Sequence, residues 1–247
     1  MSDESLVYKL KNSIQDEFIS TVSHEMRTPL TSIRGFSQTL LSSWDRIDEE
    51  NKKKFIKIIE EQSNRLINLV ENILTVSKAN AGNIVMKKVF VNASIQSVIP
   101  MFQEQYKDHK IIFTPQKDLP PVLMDDDKFQ QIMTNLIDNA CKYSESGKTV
   151  SVSTELKGEE VIIKVKDEGV GIKKECADKL FQKFSRIENH LTSKTQGNGL
   201  GLYITKQLTE SMCGKITYES EENVGTTFIV KFPVYNEEEV LKCSQKS

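Results

Sequence analysis

The sequence predicts an α-helical hairpin that pairs with a second copy as a dimeric four-helix bundle, followed by an α/β two-layer sandwich. Two observations predict this division. Residues 4 to about 80 contain one proline and one glycine, Pro29 and Gly35, whereas turn formers become regular from Ala81-Gly82 onward. Apolar residues recur at a helical step in the first stretch and alternate in short β-rich runs in the second. The expected domains are 1–82 and 83–236, with a polar tail over 237–247.

In the first domain, apolar residues fall at Leu6, Leu10, Ile14, Phe18, Val22, Met26, Leu30 and Ile33, then at Leu40, Leu41 and Trp44. Many of these steps are four, so the stripe drifts around the helix and touches more than one neighbour. Asp45-Arg46-Ile47-Asp48 reads as the turn. The second helix carries Phe55, Ile58, Ile59, Leu66, Leu69, Val70, Ile73 and Val76 at a mean step close to 3.5, as in an antiparallel coiled-coil hairpin. One hairpin cannot bury apolar residues on several faces, and two copies can, so the pattern predicts a homodimer. The alternative is that the second domain covers the excess face.

In the second domain, Ile84 to Val91 and Ile111 to Thr114 read as strands, and Ser94 to Lys107 as a helix with Ser94 at its N-cap. Asp125-Asp126-Asp127 opens a helix through Tyr143, with acidic side chains at its positive end. Thr149 to Leu156 and Glu160 to Lys166 read as a hairpin turned at Lys157-Gly158-Glu159. A polar stretch follows from Glu168 to Gly199, then a helix from Gly199 to Met212. Lys215 to Ser220 and Thr226 to Phe232 read as a last strand pair. Helices with mostly antiparallel strands make a two-layer sandwich.

Composition excludes several classes. Lys+Arg 33 against Asp+Glu 35 gives a net charge of -2, so bulk charge gives no reason to expect nucleic acid. Cys141, Cys176, Cys213 and Cys243 form no CxxC, which predicts reduced thiols. No apolar run is long enough for a membrane span, and the N-terminus lacks a signal-peptide core. A cytoplasmic protein is expected.

His24 is one of three histidines, with His109 and His190. Pro29 withholds an N–H from the carbonyl of Glu25, at a cost of about 3 kcal/mol, and is expected to loosen the helix beside His24. Glu25 and Thr28 flank the histidine at +1 and +4. A carboxylate beside an imidazole can hold its Nδ1 proton and leave Nε2 as a nucleophile. The bland alternative is a helix histidine that faces solvent or packs beside Met26.

Four further elements point to nucleotide chemistry. Asn135 and Asn139 share a helix face and offer oxygens to a hard cation such as Mg²⁺, and Lys142 offers a charge for phosphate. Asp167 can accept from an exocyclic amine, and Gly169 and Gly171 after it permit a tight turn. Gly197-Asn198-Gly199-Leu200-Gly201-Leu202 opens a helix whose N–H groups form a phosphate cradle. Thr226 stands before the final strand, where a hydroxyl can reach a base edge.

Together these motifs resemble the bacterial sensor histidine kinases of two-component systems, over roughly residues 15 to 235. Ser23 to Leu30 resembles the phosphoacceptor box, Asn135 to Ser144 the N box, Asp167 to Gly171 and Gly197 to Leu202 the two glycine boxes, and Phe181 to Arg186 the F box. The resemblance implies a dimerization and histidine-phosphotransfer domain followed by an ATP-binding domain of the Bergerat fold, with an ATP lid over about 168–199. It implies that His24 is the phosphoacceptor, Glu25 its general base and Thr28 the residue that positions water for phosphatase action. It implies that Asn139 ligates Mg²⁺ with Asn135 assisting, that Lys142 and Arg186 contact phosphates, that Tyr143 lies against adenine, and that Asp167 reads the adenine amino group. The partners it implies are a second copy and a response-regulator receiver domain, and it leaves open a membrane anchor in the parent protein. Ser185 and Glu168 depart from the family pattern, where an aromatic and an asparagine are frequent. Competing readings are a Bergerat-fold ATPase that drives conformational change, which needs a water-activating carboxylate on the N-box helix, and a non-catalytic dimeric adaptor.

Overall fold

The computed structural model describes residues 3–78, 84–185, 187 and 199–235, with the backbone alone described for 3–18 and 76–78. The chain divides into two compact units, 1–75 and 76–247.

In the first unit, α1 spans Asp3–Ser43 and α2 spans Glu49–Lys78, joined through a 3₁₀ turn at Trp44–Arg46. The turn falls where the sequence places it. Asp48 caps α2, since its carboxylate accepts from the Asn51 backbone N–H at 2.9 Å and from Asn51 Nδ2 at 2.7 Å. Those bonds favour the charged form and hold the Asp48 carboxyl below its ordinary range. The helices meet through Phe36 and Phe55, whose ring centroids lie 5.1 Å apart. α1 runs through Pro29 without a break in its helical assignment, so the expected loosening does not interrupt it. Among the described hairpin side chains only Pro29, Leu40 and Leu69 are buried. Ile19, Leu30, Leu41, Ile56, Ile67, Val70 and Leu74 stay exposed on the single chain.

The second unit holds β1 (Lys87–Val89), α3 (Val91–Gln105), β2 (Lys110–Pro115), β3 (Val122–Met124), α4 (Asp126–Lys142), β4 (Thr149–Lys157), β5 (Glu160–Lys166), a 3₁₀ segment at Lys174–Lys179, α5 (Gly201–Ser211), β6 (Lys215–Glu221) and β7 (Gly225–Pro233). Five strands form one sheet in the order β2-β4-β5-β7-β6, and β1 pairs with β3 in a small antiparallel ribbon. All pairs in the large sheet are antiparallel except β2 with β4. β4 shows the alternation of a half-buried strand, with Val150, Val152 and Thr154 buried. α4 packs over β4 and β5 and lies beside α3 and α5. Phe129, Ile132, Met133, Leu136 and Ile137 from its inner face are fully buried, and the Phe129 ring meets Phe232 edge-on at 6.0 Å. This is the two-layer sandwich the sequence predicts.

Several boundaries differ. The expected strand over 84–91 contracts to Lys87–Val89 because α3 already begins at Val91. Ser94 therefore lies inside α3 and is not its N-cap; Phe90 holds that place and makes no side-chain capping bond. The Ser94 hydroxyl instead donates to Asp126 Oδ1, tying α3 to the start of α4. The acidic run opens α4 where the sequence places it, with Asp125 as the cap that accepts from the Lys128 N–H at 3.2 Å. β3 is missing from the sequence reading, since three residues between Pro121 and Asp125 give no periodicity to detect. Cys141 and Cys176 are free, but Cys213 is disulfide-bonded, contrary to the expectation of four reduced thiols. Among the described residues no helix is long and apolar enough to cross a membrane.

Candidate nucleotide site and phosphoacceptor helix

The second unit gathers its candidate residues at the ends of β5 and β7 and along α4. Asp167, the first residue past β5, is 5% exposed. Its Oδ1 accepts the Gly169 N–H at 2.9 Å and the Thr226 N–H at 3.1 Å. Burial lifts its carboxyl to about 6, against the opposing pull of those two bonds. Oδ2 takes no bond among the described residues, so one acceptor stays available to an amine donor.

The glycines explain why this corner is so close-packed. A Cβ on Gly169 would run into the Tyr143 carbonyl, and one on Gly225, at φ +141°, into the Asp167 carbonyl. The Val170 N–H donates to that same Tyr143 carbonyl at 3.1 Å, so the turn after β5 is stitched to the C-terminal end of α4. Tyr143, Asp167 and Gly169 are thereby brought together. Thr226 contributes its backbone N–H to Asp167, while its hydroxyl is engaged with Ser220 at 2.9 Å. Glu168, one of the two departures from the family pattern, accepts from the Thr149 N–H at 3.2 Å at the start of β4.

On α4, the Asn139 amide makes no bond among the described residues. The Asn135 amide donates through Nδ2 to Thr205 Oγ1 at 2.7 Å, across to α5. Its Oδ1 lies over Gly201, so closely that a Cβ there would overlap it. Lys142 is ion-paired with Asp138 Oδ2 one turn back. The other oxygen of Asp138 accepts from the Tyr106 hydroxyl at 2.6 Å. Burial and that bond raise the Tyr106 hydroxyl well above its usual range, so it stays a donor. Burial, then the charges of Asp138 and Asp167, push the Cys141 thiol up to about 12. With both oxygens engaged, Asp138 is not the free water-activating carboxylate that a stand-alone ATPase needs.

Leu200, fully buried, and Gly201 open α5. Gly199, at φ +68°, packs against the backbone of Phe184, and a Cβ there would strike it. Phe181 lies edge-on to Tyr218 at 6.2 Å, which seats the F-box segment on β6. Leu202, in the first turn of α5, is partly exposed. Arg186 and residues 188–198 of the expected lid, Gly197 and His190 among them, lie outside the described residues.

On α1, the His24 imidazole is exposed and makes no bond among the described residues. Thr28 Oγ1 donates to the His24 carbonyl at 3.4 Å, which sets the hydroxyl one turn along from the histidine. Glu25 does not hold the His24 ring. Successive helix positions diverge by about 100°, and the Glu25 carboxylate turns to α2, where Oε2 accepts from Arg65 Nη2 at 3.3 Å. Arg65, Tyr106 and Thr205 were not anticipated from the sequence. Each acts on a motif residue from 32 to 70 positions away, and no local spacing signals that.

Residues 14–82 match the His Kinase A (phospho-acceptor) domain, and residues 124–236 match the histidine kinase-, DNA gyrase B- and HSP90-like ATPase family. The chain is 34% identical over 230 residues to the sensor histidine kinase WalK of Bacillus subtilis, a match covering 90% of this chain and 37% of WalK. It spans 26% of the sensor protein KdpD of Clostridium acetobutylicum and 51% of the signal transduction histidine-protein kinase ArlS of Staphylococcus haemolyticus. Its fold aligns with histidine kinase ThkA solved in complex with response regulator protein TrrA, at a TM-score of 0.74 and 27% identity, over 92% of this chain and 64% of that one. It also aligns with full-length ShkA in complex with AMPPNP, at a TM-score of 0.65 and 25% identity, over 89% of this chain and 46% of that one. The chain belongs to the sensor histidine kinases, of which it carries the phospho-acceptor and ATPase parts.

Proposed function

We propose that the chain is an ATP-dependent protein-histidine kinase that phosphorylates its own His24 and passes the phosphoryl group to an aspartate of a response-regulator receiver domain. The observation that carries this is the exposed His24 imidazole beside Glu25, unbonded among the described residues, in the same chain as a buried Asp167 with one acceptor oxygen open among them. In the reaction, Nε2 attacks the γ-phosphorus, an N–P bond forms, the bond from the γ-phosphorus to the β,γ-bridging oxygen breaks, and ADP leaves. Glu25 takes up the ring proton at Nδ1. Asp167 accepts from the adenine amino group, and Tyr143 lines that pocket. Lys142 and Arg186 contact the phosphates, Lys142 exchanging Asp138 for them.

Mg²⁺ fits Asn139, whose amide oxygen is unbonded among the described residues, and bound there it neutralises charge on the phosphates. Asn135 is the weaker candidate ligand, because its amide already joins α4 to α5. Two copies pair through the hairpin, whose exposed apolar residues otherwise face water. Their expected association is a homodimer in solution. Thr28, one turn from His24, orients water when the phosphoryl group is removed from the regulator. ThkA's solved complex with TrrA supports the choice of a response regulator as partner.

The test is incubation with γ-labelled ATP and Mg²⁺. Acid-labile, base-stable label is expected on the wild type and absent from His24→Gln, with nucleotide binding retained. Label that persists in His24→Gln overturns the assignment.

A further inference from the structure

The geometry points to Arg65 as a positioning residue for the kinase step: we infer that its guanidinium tethers the Glu25 carboxylate by one oxygen and leaves the other to take the proton from His24. This rests on the reading of Glu25 as the general base.

The contact is specific and asymmetric. Arg65 Nη2 reaches Glu25 Oε2 at 3.3 Å, from 40 residues away on the facing helix. Oε1 makes no bond among the described residues. The two side chains are 26% and 31% exposed, so the pair sits at the edge of the interhelical seam and is neither buried nor fully solvated. A pair in that setting contributes little to stability. Its effect on orientation is larger in kind. A free glutamate samples many rotamers, and ordering it during the reaction costs side-chain entropy. A carboxylate already held at one oxygen keeps its second oxygen within a narrower range.

Nucleophile–base pairs commonly have the base oriented by a third group, and here the third group stands on α2. The histidine supplies no such hold, since its imidazole is unbonded among the described residues and Glu25 diverges from it by about 100° around the helix. Pro29 adds to the need. It donates nothing to the Glu25 carbonyl, which lacks the usual helical bond, and among the described residues Arg65 is the one partner of the Glu25 side chain.

The experiment is a double-mutant cycle on the full chain, reading the initial rate of autophosphorylation against ATP concentration. Arg65→Gln is expected to lower kcat about tenfold to a hundredfold, a part of the ~10²–10⁴ that a general base supplies, with the KM for ATP unchanged. In the Glu25→Ala background the same substitution is expected to add less than about twofold, because the residue it positions is gone. Arg65→Lys, which keeps the charge without the planar fork, is expected to lose less than Arg65→Gln. Dimer mass and melting temperature are read on every variant. If Arg65→Gln does not fold, Arg65→Lys carries the same cycle, a several-fold loss alone and none beside Glu25→Ala.

Equal losses in both backgrounds overturn the proposal and make Arg65 a structural residue. An unchanged rate for Arg65→Gln with an inactive Glu25→Ala overturns it while the base assignment stands. Full activity in Glu25→Ala overturns both.

Discussion

Asn135 donates its side-chain amide to Thr205 Oγ1 at 2.7 Å, and with its other end covers Gly201 at the start of α5. One side chain thus fixes how α4 lies against α5, the helix expected to open the phosphate cradle. The Thr205 carbonyl accepts in turn from Thr209 Oγ1 at 2.7 Å, so the contact continues inside α5.

Gly201→Ala is therefore expected to force α5 away from α4. Overpacking of this kind typically costs about 1–3 kcal/mol, so the melting temperature should fall and nucleotide affinity should drop tenfold or more. Adding Asn135→Ala should recover part of the melting temperature, since the atoms struck by the new Cβ are those of the Asn135 side chain. Calorimetric titration with the non-hydrolysable nucleotide and thermal melts of both variants check this. A Gly201→Ala protein that binds like wild type removes the crowding argument.

Asp167 gives a pH dependence of definite sign. Its carboxyl is raised from 3.8 to about 6 in the fold, so the folded chain holds a proton that the unfolded chain has lost across that window. Stability contributed by this group therefore falls as pH rises from about 4 to about 6 and is flat above, a total of about 3 kcal/mol. Nucleotide binding runs the other way, because the ionised carboxylate is the better acceptor, so affinity should weaken as pH drops below about 6. Denaturant midpoints and nucleotide titrations over pH 4 to 8, on wild type and on Asp167→Asn, measure both slopes. The variant should lose the stability slope and bind adenine nucleotides weakly throughout.

Asn139→Asp tests the cation site. The open amide oxygen becomes a charged carboxylate beside the phosphates, and magnesium-dependent labelling of His24 should fall below detection. The fold should persist, since the Asn139 side chain makes no bond among the described residues. Labelling at the wild-type rate would exclude Asn139 from cation binding.

Glu25 and Thr28 should separate two activities. Glu25→Ala is expected to slow labelling by ~10²–10⁴, while Thr28→Ala spares labelling and slows loss of phosphate from the regulator. The Thr28 hydroxyl makes only a 3.4 Å bond to the His24 carbonyl, so its removal should leave the helix intact. Paired time courses decide it; matched losses in both reactions for Thr28→Ala would point to docking or folding instead.

What the sequence made legible was whatever repeats or clusters locally. The hairpin turn at 45–48, the Asp125 cap, the β4–β5 hairpin and the glycines around Asp167 all lie within a few residues of the features that announce them. Long-range partners were illegible. Nothing near Asp138 says that Tyr106 will bond it, and nothing near Glu25 says that Arg65 will. The parallel pairing of β2 with β4 escaped for the same reason, because a strand's neighbours are chosen by the sheet and not by its own pattern. Ser94 shows the converse failure. A good capping residue sits at a plausible place, but tertiary contact with Asp126 uses its hydroxyl elsewhere.

The strand order has a consequence for how the protein is made. β7, residues 225–233, is not at the rim of its sheet but lies between β5 and β6, and Val234 just beyond it bridges to Val122. During synthesis the ribosome releases β2, β4 and β5 long before the strand that covers the open side of β5 exists. The bonding edge of β5 must wait through some sixty residues of translation, exposed to the mispairing that unfinished sheets invite. The hairpin, whose contacts close within one turn and two neighbouring helices, can form as soon as α2 emerges. One polypeptide therefore matures in two instalments, an early helical one and a late sheet that stays incomplete until nearly its last described residues are in place.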